Sequence, residues 1–364
     1  VATKFEQFGG DPVCASFEIS MQETIDTDIL IIGAGPVGLF AVFEAGLLKL
    51  RCHLVDALPQ PGGQLSEIYP KKPIYDIPGY PSVLAGELVA RLMEQIAPFK
   101  PGFTLGERAE TLEKTSDGRF RMTGSRGTIF TAGALFIAGG LGSFEPRTPP
   151  IPNIGFFEDR GVTYFIRDPE IFRNKRLIIA GGGDSALDWS IYLADIAAEL
   201  TLVHRRSSFR GALDSVEKIK ALAEAGKIRL LVNSQVTALS GKSNLELVQV
   251  TNDNGISESI PADYFIPLFG LTPKLGPIGA WGLEIADGAV VVDTRDYQTN
   301  VAGIFAIGDI NTYPGKLKLI LCGFHEATMA CQSAFKHIHP DKKLSFKYTT
   351  VTGIEGLPAD SIPA

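Results

Sequence analysis

The stretch DILIIGAGPVGLF, Asp28 to Phe40, decides the fold. Four apolar residues, Ile29–Ile32, run into Gly33, Gly35 and Gly38, and a helical pattern follows over Leu39–Leu50. That spacing fits a strand, a tight turn and a helix. Gly33 permits the turn, Gly35 lets a pyrophosphate approach the backbone, and Gly38 lets helix and strand pack closely. The helix then points free amide hydrogens and the positive end of its dipole at the phosphates. The next strand, RCHLVDA, ends in Asp56, where a carboxylate accepts hydrogen bonds from a ribose. The first turn therefore asks for an unphosphorylated adenosine ribose, as in FAD.

The same device is written a second time. In LIIAGGGDSALDW, Leu177 to Trp189, the three positions hold Gly181, Gly183 and Ala186, with Asp184 and Ser185 opening the helix. The strand that follows, in ELTLVHRRSSFR, has no acid at its end. His204, Arg205 and Arg206 stand there, and Arg210 is close behind. A guanidinium fork suits a 2′-phosphate and leaves a bare ribose unrecognised. The second turn therefore asks for NADPH.

A chain of 364 residues exceeds a single hydrophobic core, so two domains are expected. The second half of the first domain is legible near the end of the chain, in TNVAGIFAIGDINTYPGK. There an apolar strand, Gly303–Ile307, ends in Gly308 and Asp309, and helical sequence runs from about Gly323 to His337. An Asp at the carboxyl end of a parallel strand points into the ligand crevice. Upstream, TAGALFIAGGLGSFEPR (Thr131–Arg147) leaves the first domain through a Gly- and Pro-rich hinge, and DYFIPLFGLTPKLGP returns to it. The expected fold is α/β with two Rossmann-like dinucleotide-binding domains, the NADPH domain (144–267) inserted into the FAD domain (22–143 and 268–364).

Composition narrows the class further. Apolar residues make up 45% and charged residues 21%, as in an ordinary globular protein, and the formal charge of −7 argues against nucleic acid. No apolar run approaches the roughly 20 residues of a membrane helix. The start lacks the basic-then-apolar layout of a secretory leader. Cys14, Cys52, Cys322 and Cys331 form no C-x-x-C pair. Neither a disulfide framework nor a metal site is expected, and free thiols in a cytoplasmic protein follow.

The pairing of GAGPVG with GGGDSA, together with HRRSSFR and AIGD, resembles the thioredoxin-reductase group of flavoproteins over about residues 25–352. Within that group, PGGQLSEIYPKKPIYDIPGYP, GLTPKLGPIGAWGL, GDINTYPGKLKLI and GFHEATMA are similar to the thioredoxin-reductase-like ferredoxin–NADP+ reductases. The resemblance implies FAD and NADPH as cofactors, ferredoxin or flavodoxin as partner, and a homodimer. It implies that Gln64 contacts the flavin, that Tyr69 stacks on one face, that Asp56 holds the adenosine ribose and Asp309 the ribityl chain. Ala109 and Phe144 become backbone or edge contacts. In the tail SFKYTTVTG, Tyr348 stacks on the other face and Thr350 touches the cofactor. A stacked Tyr348 would bar nicotinamide, so the tail or the NADPH domain must then move.

One departure bears on chemistry. Thioredoxin reductases carry a C-x-x-C dithiol shortly before the second glycine turn, whereas here GVTYFIRDPEIFRNKR, Gly161–Arg176, has no cysteine. Thiol–disulfide exchange needs a thiolate and a resolving partner. Without them, electrons must leave from the flavin itself, which takes a hydride's two electrons together and releases them singly. No side chain is then expected to act as a catalytic acid or base. The alternatives are an NADPH-dependent disulfide reductase, an NADPH oxidase or flavin monooxygenase, and a redox-sensing binding module. Lys71, Lys72, Lys316, Lys318, Lys342, Lys343 and Lys347 flank the assigned flavin contacts and are expected to form a positive rim that steers an acidic partner.

Overall fold

The computed structural model describes residues 24–142, 145–272, 274–344 and 354. β1 (Thr24–Ile32) passes through the first glycine turn into α1 (Pro36–Leu47) and on to β2 (Cys52–Asp56). A short α2 (Gln64–Glu67), a hairpin of β3 (Pro73–Ile74) and β4 (Val83–Leu84), and α3 (Ala85–Ile96) follow. The chain then adds β5 (Gly102–Leu105), β6 (Ala109–Lys114), β7 (Phe120–Gly124) and β8 (Ile129–Ile137). β5, β2, β1 and β8 lie side by side and parallel, and β7 and β6 continue antiparallel beyond β8. Ile29, Leu30 and Ile31 are all at most 1% exposed. A parallel strand covered on both faces is apolar at every position rather than at alternate ones, which is why ILII reads as a continuous run.

The insert has its own sheet. After β9 (Glu145–Pro146) and a short α4 (Ile154–Phe157) come β10 (Arg176–Ala180), α5 (Asp184–Leu193), β11 (Glu199–Val203), α6 (Leu213–Glu224) and β12 (Arg229–Leu231). β13 (Ser234–Ser240), β14 (Leu247–Asn252) and β15 (Ser257–Pro261) form an antiparallel meander before β16 (Tyr264–Pro267). The parallel order is β12-β11-β10-β16. Alternation along β10 sends Leu177 and Ile179 toward α5 and α6, and Ile178 and Ala180 toward the meander. Two separate cores result, one on each face of the sheet.

β17 (Leu271–Thr272) then pairs antiparallel with β9, so the outgoing and returning chains form one ribbon. β18 (Ile285–Ala286) and β19 (Ala289–Val291) follow it. β20 (Ile304–Ala306) then rejoins the first sheet along the carboxyl half of β8, at Leu135–Ile137. β21 (Asn311–Thr312) and α7 (Ile320–Ile338) complete the described chain apart from its last residues. The NADPH-type unit is thus inserted into the first one.

Element ends differ from the sequence expectation for local reasons. α1 begins at Pro36, whose fixed φ and missing N–H suit the first helical position, with Gly35 as its cap. β1 begins at Thr24, earlier than its apolar run, because Asp26 and Asp28 are held by Arg51, and Asp26 also by Arg119 and Thr131. Those partners are remote in sequence and invisible to its periodicity.

Three ion pairs join the two units around the segment that carries Tyr69. Lys71 pairs with Asp168 at 2.7 Å, Lys72 with Asp188 at 2.8 Å, and Arg167 with the Glu67 carboxylate. Tyr69 itself packs against the core of the first domain and the helix-side core of the insert. Partly exposed pairs of this kind contribute about 1 kcal/mol or less each to global stability. Glu67→Gln, Lys71→Met and Lys72→Met in one chain should therefore leave thermal unfolding nearly unchanged yet loosen the relative placement of the domains. Small-angle scattering is expected to show a larger radius of gyration. A profile superimposable on the parent would show that these pairs do not hold the orientation.

Candidate functional site

A cavity of ≈ 380 Å³ runs along the carboxyl ends of β1, β2, β8 and β20. Ile32, Gly33 and Gly35 line it from the first strand and turn, Val55 and Asp56 from β2, Ala138–Gly140 from beyond β8, and Ile307–Asp309 from beyond β20. This is where an open α/β sheet accepts its ligand.

The glycines of the first turn differ in what surrounds them. Gly33 has φ +109°, and a Cβ there would stand 2.4 Å from the carbonyl oxygen of Ala138. At Gly38 a Cβ would meet the Gly33 carbonyl at 2.1 Å, so this position serves packing and does not line the cavity. At Gly35 a Cβ would meet no protein atom within 4 Å, because it would project into the cavity. Backbone bared toward an open crevice at the start of α1 fits a phosphate-bearing ligand.

Asp56 is half-buried at the cavity edge. Its carboxylate accepts from the Ala34 amide at 2.7 Å and the Leu58 amide at 2.9 Å. Burial pushes the carboxyl above the usual carboxylate range, and the two amides oppose that shift. Asp56 therefore pins the glycine turn and still keeps acceptor capacity toward the cavity.

Gln64, Tyr69, Ala109 and Asp309 also line the cavity. Burial, with Asp309 and Asp76 nearby, pushes the Tyr69 phenol up to about 12, so it stays neutral. Burial raises the Asp309 carboxyl, against the pull of Lys316 and Lys318. Phe144, Tyr348 and Thr350 lie outside the described residues.

Other parts of the wall carry weaker marks in the sequence. Gly139, Gly140 and Gly142, which read as hinge, instead line the cavity, as do Glu107, Arg108 and Leu275–Ile278. The glycines had a readable sign, since they follow a parallel strand. Glu107 did not: it is 2% exposed and accepts from the Arg126 amide and the Thr128 hydroxyl, both 2.9 Å away.

The second turn repeats the first. A Cβ at Gly181 would meet Ala186 Cβ at 2.6 Å and the Leu268 carbonyl at 2.7 Å, whereas at Gly183 it would meet nothing within 4 Å. Asp184 accepts from the Ala212 amide at 2.7 Å, and Ser185 is exposed on the first turn of α5. His204 is buried below the turn, its ring stacked on Phe209 at 4.8 Å and its Nε2–H donating to the Ser208 carbonyl at 3.0 Å. Burial first, then Arg205, Arg206 and Arg210, holds its pKa below the usual histidine value. His204 thus shapes the loop, while Arg205, Arg206 and Arg210 are exposed on it. None of the three guanidiniums forms an ion pair with a carboxylate among the described residues.

The profile of the pyridine nucleotide-disulphide oxidoreductase family matches residues 27–337. The chain belongs to this family. A ferredoxin–NADP reductase of Flavobacterium johnsoniae is 67% identical over 333 residues, 91% of this chain and 95% of the relative. One from Parvibaculum lavamentivorans is 52% identical over 330 residues, 90% of this chain and 96% of the relative. At this identity the family membership extends to the thioredoxin-reductase-like ferredoxin–NADP reductases. The fold is also that of solved thioredoxin reductases. Those of Lactococcus lactis and T. acidophilum have TM-scores of 0.75 at 24% and 22% identity, covering 86% and 85% of this chain and 99% and 98% of theirs.

The positions of the cysteines bear on the chemistry. No cysteine falls between residues 53 and 321, which includes the whole insert. Cys52 and Cys331 are buried in the first core, and burial pushes both thiols up. None of Cys52, Cys322 and Cys331 lines the cavity.

The expected lysine rim needs correction. Lys71 and Lys72 are engaged across the domain boundary, and Lys316 is buried against Glu326 with only 6% of its side chain exposed. Lys318, Lys342 and Lys343 are exposed, and Lys347 lies outside the described residues. Lysines beside a cofactor segment carry no mark in the sequence of whether they face solvent or a carboxylate.

Asp56→Ala should leave the Ala34 and Leu58 amides without their acceptor, at a cost of about 1–3 kcal/mol. Urea unfolding of the flavin-free protein is expected to show the loss. Parental stability in that measurement would mean that the carboxylate does not hold the turn.

Proposed function

We propose that the protein is an FAD-dependent oxidoreductase passing electrons between NADPH and a ferredoxin or flavodoxin. One observation carries this reading: an acid-ended and an arginine-ended glycine turn lie on two linked domains whose insert contains no thiol. The names of the closely related proteins agree with it. FAD, when bound, links the two-electron hydride chemistry of NADPH to the one-electron chemistry of an iron–sulfur acceptor.

The chain's own residues then have defined tasks. Gly33, Gly35 and Gly38 shape the pyrophosphate cradle, and Asp56 receives the adenosine ribose. Gln64, Tyr69, Ala109 and Asp309 bound the flavin end, with the neutral Tyr69 ring shielding one side from water. Phe144, Tyr348 and Thr350 take the roles implied by the family resemblance. Gly181, Gly183, Asp184, Ser185 and Ala186 form the NADPH turn, and His204 braces the loop that presents Arg205, Arg206 and Arg210 to the 2′-phosphate. No side chain is assigned to proton transfer; the one proton released for each hydride whose electrons leave singly would pass to solvent. A cytoplasmic setting suits an enzyme drawing on NADPH whose Cys52, Cys322 and Cys331 are free thiols.

Anaerobic mixing with NADPH should bleach the yellow protein, and a ferredoxin added next should restore the colour. Failure to bleach would favour a binding module over an enzyme. Arg205→Ala with Arg206→Ala should reduce the preference for NADPH over NADH by about 10–100-fold, the equivalent of one or two charge-assisted hydrogen bonds. A parent that prefers NADH would contradict the assignment of the arginines.

The homodimer forms, in this reading, through α1 and α7. α1 has a single charged residue, Glu44, and is otherwise apolar or glycine around its whole circumference, the pattern of a helix covered on all sides. Phe40 and Phe43 are only half-buried, Phe40 packs on Phe324 at 4.7 Å, and Leu321 and Met329 are 42% and 36% exposed on α7. Leu321→Glu with Met329→Glu should shift the elution volume in size-exclusion chromatography to that of a monomer. A parent that already elutes as a monomer would remove the dimer from the account.

A further inference from the structure

Glu326 is fully buried on α7, and its carboxylate is saturated. One oxygen accepts from the Gly308 amide at 2.7 Å and from Asn311 Nδ2 at 2.9 Å. The other accepts from the Tyr313 hydroxyl at 2.8 Å and from the Lys316 ammonium. A carboxylate offers about four lone-pair sites, and all are used. Every donor comes from one segment, Gly308–Lys316, whose first two residues are wall of the flavin cavity. Asn311 Nδ2 also donates to the Ala306 carbonyl at 2.8 Å, tying the segment to the end of β20. Both partners of that amide group are acceptors, so its orientation is fixed.

We infer that Glu326 is a positioning residue for the cofactor: with Lys316 it hangs the Gly308–Asp309 turn in place and sets the charge beside it. The inference rests on the reading that this cavity holds FAD. Lys316 also lies over the Tyr313 ring at 5.2 Å, and Tyr313 packs against Tyr297 at 5.8 Å, so the pair is walled in. Lys316, Lys318 and Glu326 are the charged groups felt by Asp309. With Glu326 and Lys316 both present the buried charge cancels. With either one removed, the other loses its ion-pair partner and the net charge beside Asp309 at the flavin end of the cavity changes by one, where little solvent screens it.

Four variants of the holoenzyme separate the two roles. E326Q strands the Lys316 cation and should raise the midpoint potential of the bound flavin, because added positive charge favours the electron-rich state. K316M strands the Glu326 anion and should lower it. E326Q/K316M keeps an acceptor for the Gly308 and Asn311 donors without either charge. It should return the potential to that of the parent and hold FAD within about threefold of the parent's affinity. E326L/K316M removes the acceptor as well and should weaken FAD by about tenfold or more, the loss expected for one buried hydrogen bond to the turn. Its visible flavin bands should also shift. Parental affinity and bands in E326L/K316M would overturn the positioning role. If that variant fails to fold, E326Q and K316M decide alone, and potentials equal to the parent's in both would overturn the inference. A parent that purifies without flavin and takes none up would sink the cofactor reading itself. Flavin retained equally by all four variants, with unmoved potentials, would sink only this inference.

Discussion

A pyrophosphate can reach backbone amides only where no Cβ stands between them, and the two glycine turns are built around that restriction. In each, one glycine opens onto free space, at Gly35 and at Gly183, and another is pressed against backbone, at Gly33 and at Gly181. The third position closes helix onto strand, as Gly38 in the first turn and as Ala186 in the second. Much else follows from placing such a turn at the carboxyl end of a parallel strand. The sheet must be covered on both faces, the acid or arginine that reads the ribose must stand at the end of the next strand, and the ligand must lie across the strand ends.

The parts of the fold legible in the sequence were those set by local chemistry. ILII and LIIA are runs that suit strands covered on both faces, and the glycine spacing that follows each of them, between a strand and a helix, suits a phosphate-binding turn. The returning strand before Gly308 and Asp309 was readable for the same reason. What escaped was set by contacts between distant segments. The polar start of β1 is held by Arg51 and Arg119, from other strands or their ends. The meander β13–β15 is half exposed, and its weak alternation gives no hint that it covers the second face of the insert's sheet.

The site divides along the same line. Gly33, Gly35, Asp56 and Asp309 were visible because turn and strand end fix their direction. Glu107 and Glu326 were not, although both are nearly or fully inaccessible carboxylates that fasten cavity-lining segments. An acid in a helix such as GFHEATMA reads as a solvated residue until its four donors are seen together. Lys316 shows the converse: counted with a steering rim from sequence, it is instead the buried partner of that acid.

These contacts shape a glycine turn in each domain, while the two-stranded ribbon, three ion pairs and the packing of Tyr69 on both cores relate one domain to the other. The cavity is lined by the first domain alone, and none of Cys52, Cys322 and Cys331 lines it. The most direct test is anaerobic stopped flow on protein whose accessible thiols have been alkylated, reduced by one equivalent of NADPH and then mixed with oxidised ferredoxin. The account predicts that ferredoxin is reduced as fast as by unmodified protein. Loss of ferredoxin reduction on alkylation, with the flavin still bleached by NADPH, would contradict it.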